Sequence, residues 1–242
     1  MAFDLKSISR NVAISSPRLL LYGVEGVGKS TWAASCPKPV FICTEDGLGS
    51  LKVDAFPLAQ TSDDVMAAIQ TLYTSDHKFK TVVIDSMDWL ENMISREIEA
   101  KYDAKDLAYG RASVYAVARM REILEGLNAL RNDKKMIVVL LAHCQIRRFD
   151  SPEVEPFDRY MPKLQDKANA VVREWVDAVL FANTKTLVKK DDTGFGTTNN
   201  RGITTGERML FTSEKPAYMA KNRYSMPEAI PMTWEAFAAA IV

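Results

Sequence analysis

The sequence has few cysteines, no long apolar run and no excess of charge of either sign. Its three cysteines, Cys36, Cys43 and Cys144, have no metal-ligand spacing, so they argue against a zinc site and are typical of reduced thiols in a cytoplasm. The longest apolar runs, such as 136–142, are far too short to span a membrane. The N-terminus also lacks the charged-then-apolar design of a signal peptide. We therefore expect a cytoplasmic protein without a membrane partner.

The charge balance excludes one further class of protein. Acidic and basic residues number 31 each, so the chain has no overall basic coat for nucleic acid, although a local basic patch is still allowed. Hydrophobic residues make up 47% of the chain, which is typical of a globular protein and not of a disordered one. A length of 242 residues is enough for one α/β domain with a large core. We expect a single domain over residues 1–242.

Apolar runs alternate with helical patterns along the chain. Strand-like runs lie at 18–23, 39–44, 81–85, 136–142, 174–189, 207–213 and 217–221. Helical patterns lie at 62–73, 86–101 and 112–131, with a short final helix near 233–241. The first four strand-like runs are continuously apolar, as expected for parallel strands that are covered on both faces. The pattern predicts an α/β fold with a mostly parallel, doubly wound sheet and a C-terminal antiparallel extension.

Three segments have no clear strand or helix pattern. Residues 1–16 are expected to form an N-terminal arm before the first strand. Residues 145–165 mix charged residues with three prolines, and we interpret them as a long functional loop, because long loops inside compact domains usually carry function. Residues 191–206 are rich in Gly, Thr and Asn, which predicts a mobile hairpin tip.

A phosphate-binding loop is the most specific motif in the sequence. Residues 23–30 read Gly-Val-Glu-Gly-Val-Gly-Lys-Ser and fit G-x-x-x-x-G-K-[ST] at every fixed position. A strand-like run precedes the motif and a plausible helix start follows it, which is the context that the mechanism requires. The glycines let backbone N–H groups surround phosphates, Lys29 reaches the β- and γ-phosphates, and Ser30 binds Mg²⁺. The predicted nucleotide-binding residues are Gly23, Val24, Glu25, Gly26, Val27, Gly28, Lys29, Ser30 and Thr31.

Polar side chains at three other strand ends are candidates for catalysis. Asp85 ends the third apolar run and would hold Mg²⁺ beside the phosphate loop, unless it only caps the following helix. Glu45 directly follows the second run and would orient the attacking water, with Asp46 as the substitute acid; the alternative is an N-cap or surface acid. His143 ends the fourth run and would sense the γ-phosphate, unless it serves only packing or capping.

These positions together resemble the RecA-type ATPase core. In that core a glutamate follows the second strand, the magnesium-binding strand ends in Asp-Ser, and a polar side chain ends a later strand. Residues 219–223, Met-Ala-Lys-Asn-Arg, are similar to the K-x-[KR] element that RecA-type subunits insert into a neighbour's ATP site. The resemblance is strongest to phage-encoded nucleotide-binding proteins, a group that includes the short RecA-like single-strand-annealing recombinases. It implies the fold of a RecA-like P-loop NTPase.

The resemblance also implies partners. Lys221 and Arg223 would act on the ATP of a neighbouring subunit, which implies a homo-oligomer, either a ring or a short filament, with ATP at the subunit interfaces. The segment 145–165 occupies the place of the family's second DNA-binding loop, which implies binding of single-stranded DNA. Its candidate DNA contacts are Arg147, Arg148, Arg159 and Lys163. A single-strand-binding protein is a further implied partner, and the implied location is the cytoplasm of a bacterial host.

The function predicted from these signals is Mg²⁺-dependent ATP hydrolysis in DNA recombination and single-strand annealing. ATP is favoured over GTP because the chain has no Asn-Lys-x-Asp segment for reading guanine. An ATP-driven ring motor or a helicase loader would share the whole core and stays an alternative. A small-molecule phosphotransferase is a second alternative, although a glutamate after the second strand and a C-terminal Lys-x-Arg are not expected there. A non-catalytic, nucleotide-dependent scaffold is the third.

Overall fold

The computed structural model describes residues 15–152, 154–192 and 198–241. The N-terminal arm predicted at 1–16 therefore lies almost entirely outside the described residues, as does the centre of the tip predicted at 191–206. The helices are α1 Lys29–Ala34, α2 Ser62–Thr74, α3 Met87–Lys101, α4 Ala104–Leu107, α5 Arg111–Asp133, α6 Asp166–Trp175 and α7 Trp234–Ala240. The strands are β1 Arg18–Gly23, β2 Pro39–Cys43, β3 Asp54–Ala55, β4 Thr81–Asp85, β5 Ile137–Phe149, β6 Phe157–Pro162, β7 Ala178–Asp192, β8 Thr198–Phe211, β9 Lys221–Asn222 and β10 Ala229–Pro231.

One sheet runs through the described part of the chain, in the order β10-β8-β7-β1-β5-β4-β2-β3. The strands from β7 to β3 in this order are parallel. Beyond β7, strand β8 pairs antiparallel with β7, and β10 pairs antiparallel with β8. Strand β5 lies between β1 and β4, so the carboxyl ends of all three meet at one edge of the sheet. The predicted α/β fold class, a mostly parallel sheet with an antiparallel C-terminal extension, is confirmed.

Alternate residues of the parallel strands pack on opposite faces of the sheet. On β1, Leu20 and Tyr22 belong to the core under the larger helices, while Leu19 and Leu21 belong to the core that contains Trp32 and Phe237. All four strand residues are 0% exposed, which explains why these strands are continuously apolar in the sequence. None of the helices in the described part of the chain combines the length and the apolar character needed to cross a bilayer.

Local signals explain where the helices begin. Thr61 caps α2 by accepting from the backbone N–H of Asp64, and the Asp64 side chain accepts in return from the backbone N–H of Thr61. This reciprocal capping box satisfies two backbone donors that have no partner within the helix. The predictions of helices at 62–73, 86–101, 112–131 and 233–241 are confirmed, with ends that differ by one or two residues.

The segment predicted as a loop at 145–165 is instead a β-hairpin, so that prediction was wrong. Strand β5 continues past the sheet edge to Phe149 and pairs antiparallel with β6, from Cys144 opposite Pro162 to Phe149 opposite Phe157. No sequence signal marks this hairpin, because residues 146–149 of β5 are exposed and need no continuous apolar run. Pro152 and Pro156 fall in the connection between the strands, where no ladder hydrogen bond is lost.

Three C-terminal predictions also change in extent. The strand predicted at 174–189 begins only at Ala178, because the preceding residues form α6. Of the run predicted at 217–221, only Lys221 belongs to a named strand. The tip predicted at 191–206 is narrower, since β7 reaches Asp192 and β8 begins at Thr198, and the residues between them lie outside the described part.

Candidate nucleotide-binding site

A cavity of about 460 Å³ lies at the carboxyl edge of the sheet, where β1, β2, β4 and β5 end. It brings together most of the side chains predicted from separate parts of the sequence. The residues that line it are Glu25, Gly26, Gly28, Lys29, Ser30, Thr31, Glu45, Gly47, Leu48, Ser50, Leu51, Asp85 and His143. Crevices at the carboxyl ends of parallel strands are the usual ligand sites of open α/β sheets.

Close backbone packing requires the first glycine of the phosphate loop. A Cβ atom on Gly23 would lie only 2.2 Å from the carbonyl oxygen of Ala182 on the neighbouring strand β7. Farther along the loop, Gly28 has a φ of 99°, a left-handed conformation that favours glycine. These two positions fix the turn that leads from β1 into α1. Glu25 and Gly26 line the cavity, whereas Val27 is buried in the core.

Lys29 is folded over the loop that precedes it. Its Nζ donates to the carbonyl oxygens of Gly23, at 3.2 Å, and Val24, at 3.4 Å. The side chain is buried, and this burial lowers the pKa of Lys29 below its ordinary value. Asp85 and the other nearby carboxylates oppose that shift, so the ammonium group lies among charges that favour its protonated form.

Ser30 and Asp85 meet across the sheet edge. The Ser30 hydroxyl donates to Oδ2 of Asp85 at 2.7 Å, although 55 residues separate them in the chain. Burial raises the pKa of Asp85, while the bond from Ser30 and the charge of Lys29 oppose this. A hydroxyl and a carboxylate are hard oxygen ligands, and Mg²⁺ is usually held by one or two such groups together with substrate phosphates. The residues that the structure describes include no group of three or more His, Cys, Asp or Glu side chains that could hold a metal.

Glu45 faces His143 across the cavity. Glu45 Oε1 lies 3.9 Å from His143 Nε2, and burial raises the pKa of Glu45. The preceding residue, Thr44, connects the ends of β2 and β4, because its hydroxyl donates to the carbonyl of Ser86 and accepts from the Ser86 N–H. Asp46, the substitute acid, is exposed and does not line this cavity. The geometry therefore favours Glu45 over Asp46 as the acid beside the phosphates.

The sequence analysis missed Asp88, which holds His143. Asp88 is only 3% exposed, and its two oxygens accept from the backbone N–H of His143 at 3.0 Å and pair with Nδ1 at 2.9 Å. A carboxylate only accepts hydrogen bonds, so Nδ1 carries a proton and Nε2 is directed toward Glu45. The available signal was position, since Asp88 lies in the first turn of α3, three residues after Asp85.

We expect the Asp88→Asn substitution to lower the pKa of His143. The hydrogen bond that His143 Nδ1–H donates to Asp88 raises the pKa of His143. Burial alone would raise the pKa of Asp88, but the bonds that it accepts from His143 hold it below its ordinary value. The stability due to His143 is thus fully present below about pH 6.5 and is lost as pH rises through the raised value. The contribution of Asp88 is present above about pH 4 and is lost as pH falls through its lowered value. An NMR titration of the His143 ring measures the shift, and an unchanged pKa in Asp88→Asn would contradict this pairing.

The AAA domain family matches residues 15–224, which is most of the chain. This chain belongs to the AAA domain family. Family membership and the phosphate-loop fold support a nucleotide-hydrolysing ATPase. Among solved structures, the crystal structure of the RadB recombinase has 16% sequence identity and a TM-score of 0.47, covering 92% of this chain and 90% of that one. No curated protein sequence matches significantly.

Lys221 and Arg223 of this AAA domain lie outside the cavity and are engaged by their own chain. Lys221 Nζ donates to the carbonyls of Arg173 and Val176, each at 2.6 Å, at the C-terminal end of α6. Burial lowers the pKa of Lys221 to about 8. Arg223 lies 3.4 Å from Asp177, which Arg18 also binds. Both cations are thus placed near the amino end of β7, away from their own phosphate loop.

The four candidate DNA contacts have different environments. Arg148 and Lys163 are exposed, and Arg147 is exposed but paired with Asp166. Arg159 is only 5% exposed, is paired with Glu214, and lies 5.0 Å from the Phe149 ring. Arg159 is therefore a structural part of the hairpin, and its predicted role as a DNA contact is not supported, because a buried, paired guanidinium is not accessible to phosphate.

Arg208 is a second residue that the sequence analysis missed. Its guanidinium approaches the phosphate loop from β8. A Cβ atom added to Gly28 would lie only 2.9 Å from Arg208 Nη1. Arg208 also lines a smaller cavity of about 240 Å³, which shares Gly28 and Thr31 with the phosphate cavity. No local motif marks Arg208, because the contact depends entirely on where β8 lies relative to β1.

Proposed function

We propose that this AAA domain hydrolyses ATP with Mg²⁺ and that the cavity at the carboxyl edge of the sheet is the catalytic site. The observation that carries the proposal is the 2.7 Å bond between Ser30 and Asp85, with Lys29 and Glu45 lining the same cavity. A phosphate loop alone would support binding only. The additional carboxylates supply what hydrolysis needs, one to hold magnesium and one to orient water. The lack of a guanine-reading segment supports ATP over GTP.

In this proposal each residue has a separate role. The backbone N–H groups of the loop and the ammonium of Lys29 neutralise the β- and γ-phosphates. Ser30 and Asp85 hold Mg²⁺, which supplies further positive charge to the phosphates when it is bound. Glu45 orients water and accepts its proton, a role that its raised pKa and partly buried position support. His143, held by Asp88 and 3.9 Å from Glu45, would contact the γ-phosphate and help to position Glu45.

The Glu45→Gln substitution tests the catalytic assignment. We expect hydrolysis to slow by about 10²–10⁴-fold while ATP binding changes little, because glutamine keeps the shape of the side chain but cannot accept a proton. Phosphate release and the affinity for a fluorescent ATP analogue are the two measurements. Asp46→Asn, one residue along and exposed, is the matched control and should keep normal turnover. Normal hydrolysis by Glu45→Gln together with a slow Asp46→Asn would move the role to Asp46.

We further propose that the domain acts as a homo-oligomer, a ring or a short filament, with ATP at the subunit interfaces. The position of Lys221 and Arg223 supports this, since both lie near the amino end of β7 and away from their own phosphate loop. The cavity of one subunit also contains no arginine among its lining residues, all of which are described. A cation from a neighbour would add to Lys29, which lines the cavity, and to Arg208, which approaches the loop from β8. The single-domain organisation over 1–242, the phage origin and the bacterial cytoplasm as location remain predictions from the sequence.

Single-stranded DNA is the proposed macromolecular partner, with annealing of complementary strands in recombination as the outcome. The β5–β6 hairpin supports this, because it extends from the edge of the sheet that holds the nucleotide site and exposes Arg148. Phe149, which is 38% exposed, contacts Phe157 across the hairpin and offers a face on which bases would stack. An annealing assay with and without ATP tests the proposal, and unwinding of a duplex in the same assay would favour a motor instead. A single-strand-binding protein remains a predicted partner.

A further inference from the structure

The β5–β6 hairpin is held at both of its ends by carboxylates of a single helix. We refer to residues 144–164 as the hairpin arm; His143 precedes it and Gln165 follows it. The backbone N–H of Lys163 donates to the carbonyl of His143 at 2.8 Å, so the two ends of the arm lie side by side. Helix α3 packs beneath this point, and it begins two residues after Asp85.

Asp88 holds the first end of the arm. It accepts from both the backbone N–H and the ring of His143, at 3.0 Å and 2.9 Å, in a place where its side chain is almost fully buried. A buried carboxylate that accepts two hydrogen bonds is expensive to displace, because moving it would leave a charge without partners. The start of the arm is therefore tied to the first turn of α3.

Glu91 holds the second end. It is 6% exposed, and its two oxygens accept from the backbone N–H of Gln165 at 3.0 Å and 3.2 Å. Gln165 is the N-cap of α6, so the carboxylate also lies at the positive end of that helix. No lysine, arginine or histidine of the described chain forms an ion pair with Glu91. A buried acid with no cation is costly for stability alone, which makes a positioning role the better explanation.

We propose that Asp88 and Glu91 form a two-point clamp through which α3 couples the position of the hairpin arm to the nucleotide site. The two acids are three residues apart, which places them on one face of the helix, one turn from each other. Asp85, the proposed magnesium ligand, lies two residues before this helix. Met87 and Leu90, both 0% exposed, anchor the helix in the core. Because α3 is rigid and is hydrogen-bonded to both ends of the arm, a displacement at Asp85 would move both ends together. The coupling rests on the proposed nucleotide site; the clamp itself does not.

Hydrogen exchange of single amides in the full chain, followed by NMR, tests the clamp in two stages. Without nucleotide, the Asp88→Asn and Glu91→Gln double variant should speed exchange at His143 and Gln165 by about tenfold, because both substitutions weaken charge-assisted bonds while they keep the side-chain shape. Glu97→Gln is the matched control, since Glu97 lies on α3 but accepts from the backbone N–H of Ser62 in α2. The amide of Thr212, which lies outside the arm and donates to the carbonyl of Glu228, is the internal reference.

The second stage adds Mg²⁺ and a non-hydrolysable ATP analogue, whose binding is measured separately by calorimetry. In the parent chain and in Glu97→Gln, bound analogue should slow exchange at His143 and Gln165 by about tenfold. At an analogue concentration that calorimetry shows to saturate it, the double variant should lose that slowing. Unchanged exchange without nucleotide overturns the clamp, and slowing that persists in the double variant overturns the coupling. If the parent chain fails to bind the analogue, the proposed function and the coupling fail, while the first stage still decides the clamp.

Discussion

The Lys29→Ala variant should lose ATP hydrolysis and bind nucleotide more weakly without unfolding. Removing one preorganised charge from a site of this kind costs about 10²–10³-fold in turnover, and Lys29 is the only lysine or arginine that lines the cavity, whose lining residues are all described. Its own contacts are two carbonyls of the adjacent loop, at 3.2 Å and 3.4 Å, so its loss removes little packing. Phosphate release and analogue affinity measure the effect, and a thermal melt checks the fold.

Two controls make the Lys29 result specific. Lys78→Ala removes an exposed lysine and should leave turnover unchanged. Lys29→Arg keeps the positive charge but replaces the compact ammonium with a planar guanidinium. Its turnover should stay low, because the loop geometry fits an ammonium group. Normal turnover in Lys29→Ala would move the catalytic site away from this cavity.

The second large effect concerns assembly. A variant with Lys221→Ala and Arg223→Ala should be inactive alone, because a cation delivered to a neighbour's phosphate is worth about 10³–10⁵-fold in rate. Mixed with Lys29→Ala subunits, it should regain part of the ATPase activity, since some interfaces then join an intact phosphate loop to an intact pair of cations. Activity should also rise more steeply than linearly with protein concentration until assembly is complete.

The structure adds a control to that experiment. Lys221 caps the end of α6 through three carbonyls, so its removal also costs stability, whereas Arg223 is exposed and makes a looser contact with Asp177. Arg223→Ala alone should therefore keep the melting temperature and still lose activity that mixing restores. Full activity of the double variant as a dilute monomer would contradict both the trans role and the oligomeric ATPase.

Features that depend only on neighbouring residues were predictable from the amino-acid order. The phosphate loop is a contiguous motif, the apolar strands are short continuous runs, and the cap of α2 at Thr61 is completed three residues later at Asp64. Because carboxyl ends of parallel strands meet at one edge, Glu45, Asp85 and His143 were expected near the loop, and the structure places all three around one cavity. The fold class was predictable for the same reason.

Tertiary structure alone decided the contacts between distant segments. Asp88 meets His143 across 55 residues and Glu91 meets Gln165 across 74, which depends on the position of β5 between β1 and β4. The hairpin of β5 and β6 could not be predicted because residues 146–149 of β5 are exposed and therefore carry no apolar period. The burial of Arg159 and the capping by Lys221 likewise follow from which strand lies beside which. Sheet order arises from long-range packing, and the local periodicity of a sequence does not encode it.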